Sequence, residues 1–238
     1  MALSKVVNNS IESVDASKLT GTLPAISGAN LTGIDALPAV GSSGNVLTSD
    51  GTNWASTAAA GGGAWNLIGT AVASNSTSLT ITGLSSTYDT YAIALSDFIQ
   101  SSEGNAAWIR FGDSGGIKTG SSDYWYSNYG LKSTDGGTSG IQYTGTSSDA
   151  AIWLTSGSVG NATGEGFDAM LYLNRPTDGQ SKPKIHGSIT WHHESNALSL
   201  AHCAGMLTSV ISLDRVACVS KSDNFTSGRM TVWGISHA

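Results

Sequence analysis

Charge is the scarcest property of this chain. Asp, Glu, Lys and Arg make up 12% of its 238 residues, against roughly 25% in an ordinary soluble domain. Helices cover their solvent faces with Glu, Lys, Gln and Arg, so little material is available for exposed helix. Lys and Arg number 11, are scattered, and leave a net charge of -6. Neutralising phosphates takes clustered cations, which argues against nucleic acid as a partner. Cysteine is equally sparse: Cys203 and Cys218 are too few for a disulfide framework. They either face each other across neighbouring strands or stay as buried free thiols, the second suiting a protein folded in a reducing cytoplasm. No apolar run reaches the roughly 18 residues of a membrane helix, so no membrane insertion is expected. Met1 to Ser10 has neither an apolar core nor a cleavage pattern, and no signal peptide is expected.

Glycine, with 30 residues, together with abundant Ser, Thr and Asn, fills the space that charge leaves. These residues suit strands, turns and closely packed irregular backbone. The chain is expected to be all-β.

Four stretches follow one another. Residues 1–18 are a polar lead-in with apolar beads at Val6, Val7, Ile11 and Val14. Residues 19–57 open on an imperfect repeat: Leu19-Thr20-Gly21, Leu23-Pro24-Ala25-Ile26, Leu31-Thr32-Gly33-Ile34 and Leu37-Pro38-Ala39-Val40. Repetition of this kind suggests a modular rod, and Pro24 and Pro38 cannot donate to a sheet ladder. A single copy has nowhere to bury Leu19, Leu23, Ile26, Leu31, Ile34, Leu37 and Val40. Three copies wound about an axis would shelter them; the alternative is an N-terminal arm without fixed structure. The stretch Gly44-Asn45-Val46-Leu47-Thr48-Ser49-Asp50-Gly51-Thr52-Asn53-Trp54 closes this region. It reads as an extended segment over 45–49, a two-residue Asp50-Gly51 turn and a single large anchor, Trp54. Residues 58–64 are an Ala/Gly linker, and residues 65–238 are the head.

In the head, strands are expected at 64–73, 78–82, 88–98, 106–111, 150–155, 166–173, 184–191, 198–207, 215–220 and 230–235, separated by turn residues. Nine or ten strands of this kind suggest an antiparallel, jelly-roll-like β-sandwich. Residues 112–140, rich in Gly, Ser and Asp, break the rhythm and read as a long surface excursion. Trp108, Trp153, Trp191 and Trp233 fall on strands and are assigned to the core or to a seam between subunits.

The repeats over 19–43 and the stretch Gly44 to Trp54 resemble the stalk and stalk-end motifs of tail fibres and related appendages of tailed bacteriophages. Trp65-Asn66-Leu67-Ile68-Gly69 and Tyr88-Asp89-Thr90-Tyr91 more weakly resemble the opening strands of some fibre heads. The resemblance implies a homotrimer whose shaft is held by the apolar beads and Trp54. It also implies attachment to other virion proteins through residues 1–18, and a binding surface on the C-terminal head. Such a protein would be assembled in the host cytoplasm and exposed on the particle.

Several strings invite catalytic readings. Gly112-Asp113-Ser114-Gly115-Gly116 matches the nucleophile motif of chymotrypsin-like proteases, and Leu200-Ala201-His202-Cys203 echoes their histidine motif. There the histidine precedes the serine; here His186, His192, His193, His202 and His237 all follow Ser114, so a Gly/Ser turn is the reading. His192-His193-Glu194 lacks a histidine four residues on and a helix to carry it. His186, His192 and His202 could converge across strands, but structural or surface histidine is favoured, and no metal site is assigned. Gly157, Gly160, Gly164 and Gly166 do not match a nucleotide fingerprint. The carboxylate pairs Glu165 with Asp168 and Asp123 with Glu103 are the material for a polysaccharide depolymerase.

The most informative cluster is Asp123-Tyr124-Trp125-Tyr126-Ser127-Asn128-Tyr129 inside the excursion. Tyr and Trp offer large contact area at low entropic cost, and aromatic faces beside Asp and Asn suit sugar rings. Asp123, Tyr124, Trp125, Tyr126, Asn128 and Tyr129 are therefore assigned to a receptor, a host-surface glycan or protein. The alternative is that these rings plug the end of the sandwich or a trimer interface. The expected protein is a non-enzymatic, cofactor-free fibre. A purely decorative fibre is the second expectation and a hydrolase the third.

Overall fold

The computed structural model describes residues 42, 45–49, 51–58, 64–133, 140–155, 157–174 and 179–236. The chain divides between Ala60 and Gly61 into two units. The repeat residues Leu19, Leu23, Ile26, Leu31, Ile34, Leu37 and Val40 lie outside the described residues.

In the first unit, β1 (Asn45–Ser49) pairs antiparallel with β2 (Trp54–Ala58). The extended segment begins and ends where the sequence places it. The turn does not: Ser49 pairs with Trp54, so four residues (50–53) make the connection rather than two. Gly51 adopts a left-handed φ of 92° and donates its amide to Ser49 Oγ at 3.1 Å. Such side-chain closure stabilises a longer loop than the dipeptide rule anticipates. Trp54 is 55% exposed.

The second unit contains β3 (Trp65–Val72), β4 (Ser78–Thr82), β5 (Thr90–Gln100), β6 (Ala107–Asp113), β7 (Gly116–Ile117), β8 (Tyr124–Lys132) and β9 (Gly140–Asp149). It continues with β10 (Ile152–Trp153), β11 (Phe167–Asn174), β12 (Lys184–His193), β13 (Ala197–Leu207), β14 (Arg215–Ser220) and β15 (Phe225–Ile235). No helix occurs among the described residues. All pairings in it are antiparallel. Eight strands form one sheet in the order β3-β15-β5-β11-β12-β13-β8-β9; a five-stranded sheet runs β10-β6-β14-β4, with β7 on β6.

Both sheets bury side chains in one core. The large sheet contributes Phe98, Phe167 and Phe225, with Phe98 stacked on Phe167 at 5.1 Å and edge-on to Phe225 at 4.9 Å. The small sheet contributes Leu79, Ile81, Ile109, Phe111, Val216 and Cys218. Period-two alternation does the sorting: along β4, Leu79 and Ile81 turn inward while Ser78, Thr80 and Thr82 stay exposed. Cys203 and Cys218 are buried free thiols, and burial pushes the Cys203 thiol up to about 12.

Two further expectations change. Among its described residues the excursion over 112–140 carries strand: β7 and β8 lie inside it and β9 begins at its end. On β8 both faces carry aromatic rings, so the apolar/polar alternation that marks a half-buried strand is missing even though its geometry is regular. Conversely, the strand expected over 150–155 shrinks to Ile152–Trp153. Of the four strand tryptophans only Trp191 is buried in the core; Trp108, Trp153 and Trp233 are half-buried.

Candidate functional site

Strand β8 alternates without a break between core and solvent: Tyr124, Tyr126 and Asn128 point inward, Trp125, Ser127 and Tyr129 outward. This divides the aromatic cluster in two. Tyr124 is fully buried. Its hydroxyl accepts from the Phe111 amide at 2.8 Å and lies 3.1 and 3.0 Å from the carbonyls of Phe111 and Lys118. Burial raises the Tyr124 phenol well above its usual range. Tyr126 is also in the core, its phenol raised to about 12 by burial and then by Asp149. Asn128 Nδ2 donates to the Trp153 carbonyl at 2.7 Å. Asp123 accepts the Gly120 amide at 2.6 Å and closes the turn ahead of the strand. Tyr124, Tyr126 and Asn128 are therefore buried building parts of the head. Trp125 and Tyr129 are 42% and 55% exposed.

Register places the outward residues in ladders across the large sheet. Trp125, Met206, Lys184 and Asn174 form one rung on β8, β13, β12 and β11. Ser127, Ala204, His186 and Tyr172 form the next; Tyr129, His202, Ser188 and Met170 form the third. Small Ser127 and Ala204 sit between the bulkier pairs Trp125–Met206 and Tyr129–His202. The result is a groove of about 540 Å³ bordered by Trp125, Met206, His186, Lys184, Asn174 and Thr146.

The surface of the groove is mostly apolar, and polar groups stand around it on the same face. Lys182 Nζ lies 5.5 Å from the centre of the Trp125 ring. Tyr129 packs on His202 at 5.3 Å and Tyr172 on His186 at 5.9 Å. His202 Nδ1 is 2.9 Å from Ser188 Oγ. A flat indole beside hydroxyl, amide, imidazole and ammonium groups can take a ring that has one apolar face and a polar edge.

Comparison with family models, curated proteins and solved structures returns no match. The reading of this face rests on its own chemistry.

The histidines separate by rung. His186 and His202 lie on adjacent rungs of the open face, whereas His192 stands at the far end of β12, its Nδ1 3.1 Å from Glu165 Oε1. No group of three metal-ligating side chains forms among the described residues. The Gly112–Gly116 string makes the tight β6–β7 turn, with Asp113 paired to Gly116 and Ser114 exposed. Asp113 accepts the Gly115 amide at 2.9 Å and pairs with Lys118 at 2.7 Å. Glu165 and Asp168 line one cleft with Asp97 and His192, but Glu165 accepts the Ala162 amide at 2.8 Å and Asp168 the Asp97 amide at 2.8 Å. Glu103 and Asp123 serve different loops, Glu103 accepting the Asn161 amide at 3.2 Å.

His186, Lys184, Asn174 and Met206 join the groove through strand register alone. Their strands are legible in the sequence, but nothing local says which strand lies beside β8.

Proposed function

We propose that this protein is a bacteriophage fibre whose C-terminal head binds a host-surface glycan through the Trp125 groove. It would act as a homotrimer carried on the virion by its N-terminal segment. The observation that carries the binding reading is the outward half of β8. Trp125 and Tyr129 stand exposed on a sheet face that also presents His202, His186 and Lys184. The trimer and the attachment rest on the likeness of residues 19–54 to fibre stalks. Binding would be non-covalent, with three copies supplying avidity.

The test is retention of the full-length protein on bacterial cells and on a glycan array, wild type against Trp125→Ala. Truncating a central aromatic anchor costs about 2 kcal/mol, a roughly 30-fold loss of affinity. Equal binding by the two proteins overturns the site. The decorative-fibre reading has one observation in its favour, the burial of Tyr124, Tyr126 and Asn128 in the head. It predicts that neither protein is retained.

A further inference from the structure

The outer face of the small sheet carries a second arrangement, around a cleft that shares no lining residue with the Trp125 groove. Trp108 on β6 and Trp153 on β10 are directly paired across strands, their rings 5.8 Å apart. Each carries a cation: the Arg110 guanidinium lies 5.1 Å from the Trp108 ring centre, and Lys221 Nζ 4.5 Å from that of Trp153. Arg110 also donates from Nε to the Ala150 carbonyl at 2.9 Å, which fixes its head group.

These two cations differ from their neighbours. Lys118 is paired with Asp113 at 2.7 Å and Arg215 with Asp214 at 2.6 Å. Among the described residues, neither Arg110 nor Lys221 has a carboxylate partner. The nearby Asp223 does not supply one: it accepts from the Ser220 hydroxyl and from the Ser102 amide at 2.7 Å. Arg110, Lys221 and Asp223 all border one depression, so its rim carries two cations against one carboxylate, both of whose oxygens are already engaged.

That depression is about 500 Å³. Register explains it: Ala217 sits between Arg110 on β6 and Thr80 on β4, so a methyl group occupies the middle of the face. Arg110 and Lys221 border it together with Asp223 and with Ser78, Thr80, Thr119 and Ser222. Exposed hydroxyls on one side and fixed, unpaired cations on the other match a sugar that bears a carboxylate. The guanidinium takes the carboxylate, favoured by charge and by its fork of donors, and the hydroxyls meet the ring's own.

We propose that this cleft is a second binding site, specific for acidic saccharides. A nucleic acid fits it poorly, because two cations neutralise too few phosphates for useful affinity. The two clefts share no lining residue, so loss of either should leave the other intact.

The test applies the full-length protein to an array carrying uronate-, sialate- and sulfate-bearing glycans beside neutral oligosaccharides of equal length. The best hit is then titrated against Arg110→Gln, Lys221→Gln, Lys221→Arg and Trp125→Ala. Carboxylated glycans should be retained. Arg110→Gln and Lys221→Gln should each weaken binding about 10- to 100-fold, the range for a lost charge-assisted contact. Lys221→Arg should restore most of it, Trp125→Ala should leave it unchanged, and added salt should weaken it. The proposal fails if no carboxylated glycan is retained, if sulfated or neutral glycans bind equally well, or if either Gln variant binds like wild type. Thermal melts of each variant separate lost binding from lost fold.

Discussion

Asn128 donates its side-chain amide to the carbonyl of Trp153 at 2.7 Å, a bond between β8 of the large sheet and β10 of the small one. Its own Oδ1 is buried without a hydrogen-bond partner among the described residues. A residue assigned from sequence to a receptor thus ties two sheets together. Asn128→Ala removes this donor from the carbonyl and should cost about 1–2 kcal/mol. Urea unfolding should show a lower midpoint with an unchanged slope. An unchanged midpoint would mean that the bond contributes nothing net.

Adjacent residues on β8 should respond in opposite ways. Tyr124→Phe leaves the packing volume nearly intact but strips the Phe111 amide of its acceptor, for a loss of about 1–3 kcal/mol. Trp125 faces solvent, and Trp125→Ala should change stability by no more than about 0.5 kcal/mol. Paired melts of the two variants check the alternation. If Trp125→Ala is the more destabilising of the two, the inward and outward faces of this strand have been assigned the wrong way round.

The same strand shows where the sequence is readable and where it is not. Leu79 and Ile81 set among Ser78, Thr80 and Thr82 announce a half-buried strand, and β4 occupies those residues. Arg215–Ser220 is equally clear, a continuous apolar run bounded by charge and turn residues. Tyr124–Lys132 hides because its outward positions, Trp125, Tyr129 and Leu131, are as apolar as its inward ones. The aromatic cluster was therefore visible as a composition but not as two faces. β12 and β13 pair as a hairpin, but the pairing of β8 with β13 joins segments more than 50 residues apart, and no local pattern encodes it.

Acid should destabilise the head in two separate windows. His193 is buried, with Nε2 3.1 Å from Lys132 Nζ and Nδ1 2.9 Å from Ser195 Oγ. Burial, then Lys132, holds its imidazole below the ordinary value of 6.5; His192 adds to this and Glu194 opposes it. The unfolded chain therefore binds this proton first, and stability falls as pH drops below about 6.5. Asp113 and Asp214 are held below the usual carboxylate value by Lys118 and Arg215 respectively. Their contribution is present at neutral pH and lost only as pH falls below about 3.8. Melting temperatures from pH 7 down to pH 5 should decline in wild type and decline less in His193→Gln. Parallel curves for the two proteins would show that another group titrates in this range.

Gly205 stands between Ala204 and Met206, which border the Trp125 groove, and its backbone presses on β10. A Cβ at this position would lie 2.7, 2.7 and 2.8 Å from Cγ1, Cγ2 and Cδ1 of Ile152. Ile152 is fully buried and part of the core, so it cannot swing aside freely. Gly205→Ala should therefore cost roughly 1–3 kcal/mol through overpacking. Ile152→Ala alone should cost about 2–5 kcal/mol through the cavity it leaves. Combined, the added methyl enters the space that the isoleucine vacates. The double variant should then be more stable than the sum of the single losses predicts, by about 1 kcal/mol or more. Denaturant melts of all four proteins give this coupling directly. Additivity within about 0.5 kcal/mol would show that the strands part to admit the methyl, and that the contact between β13 and β10 is looser than these distances require.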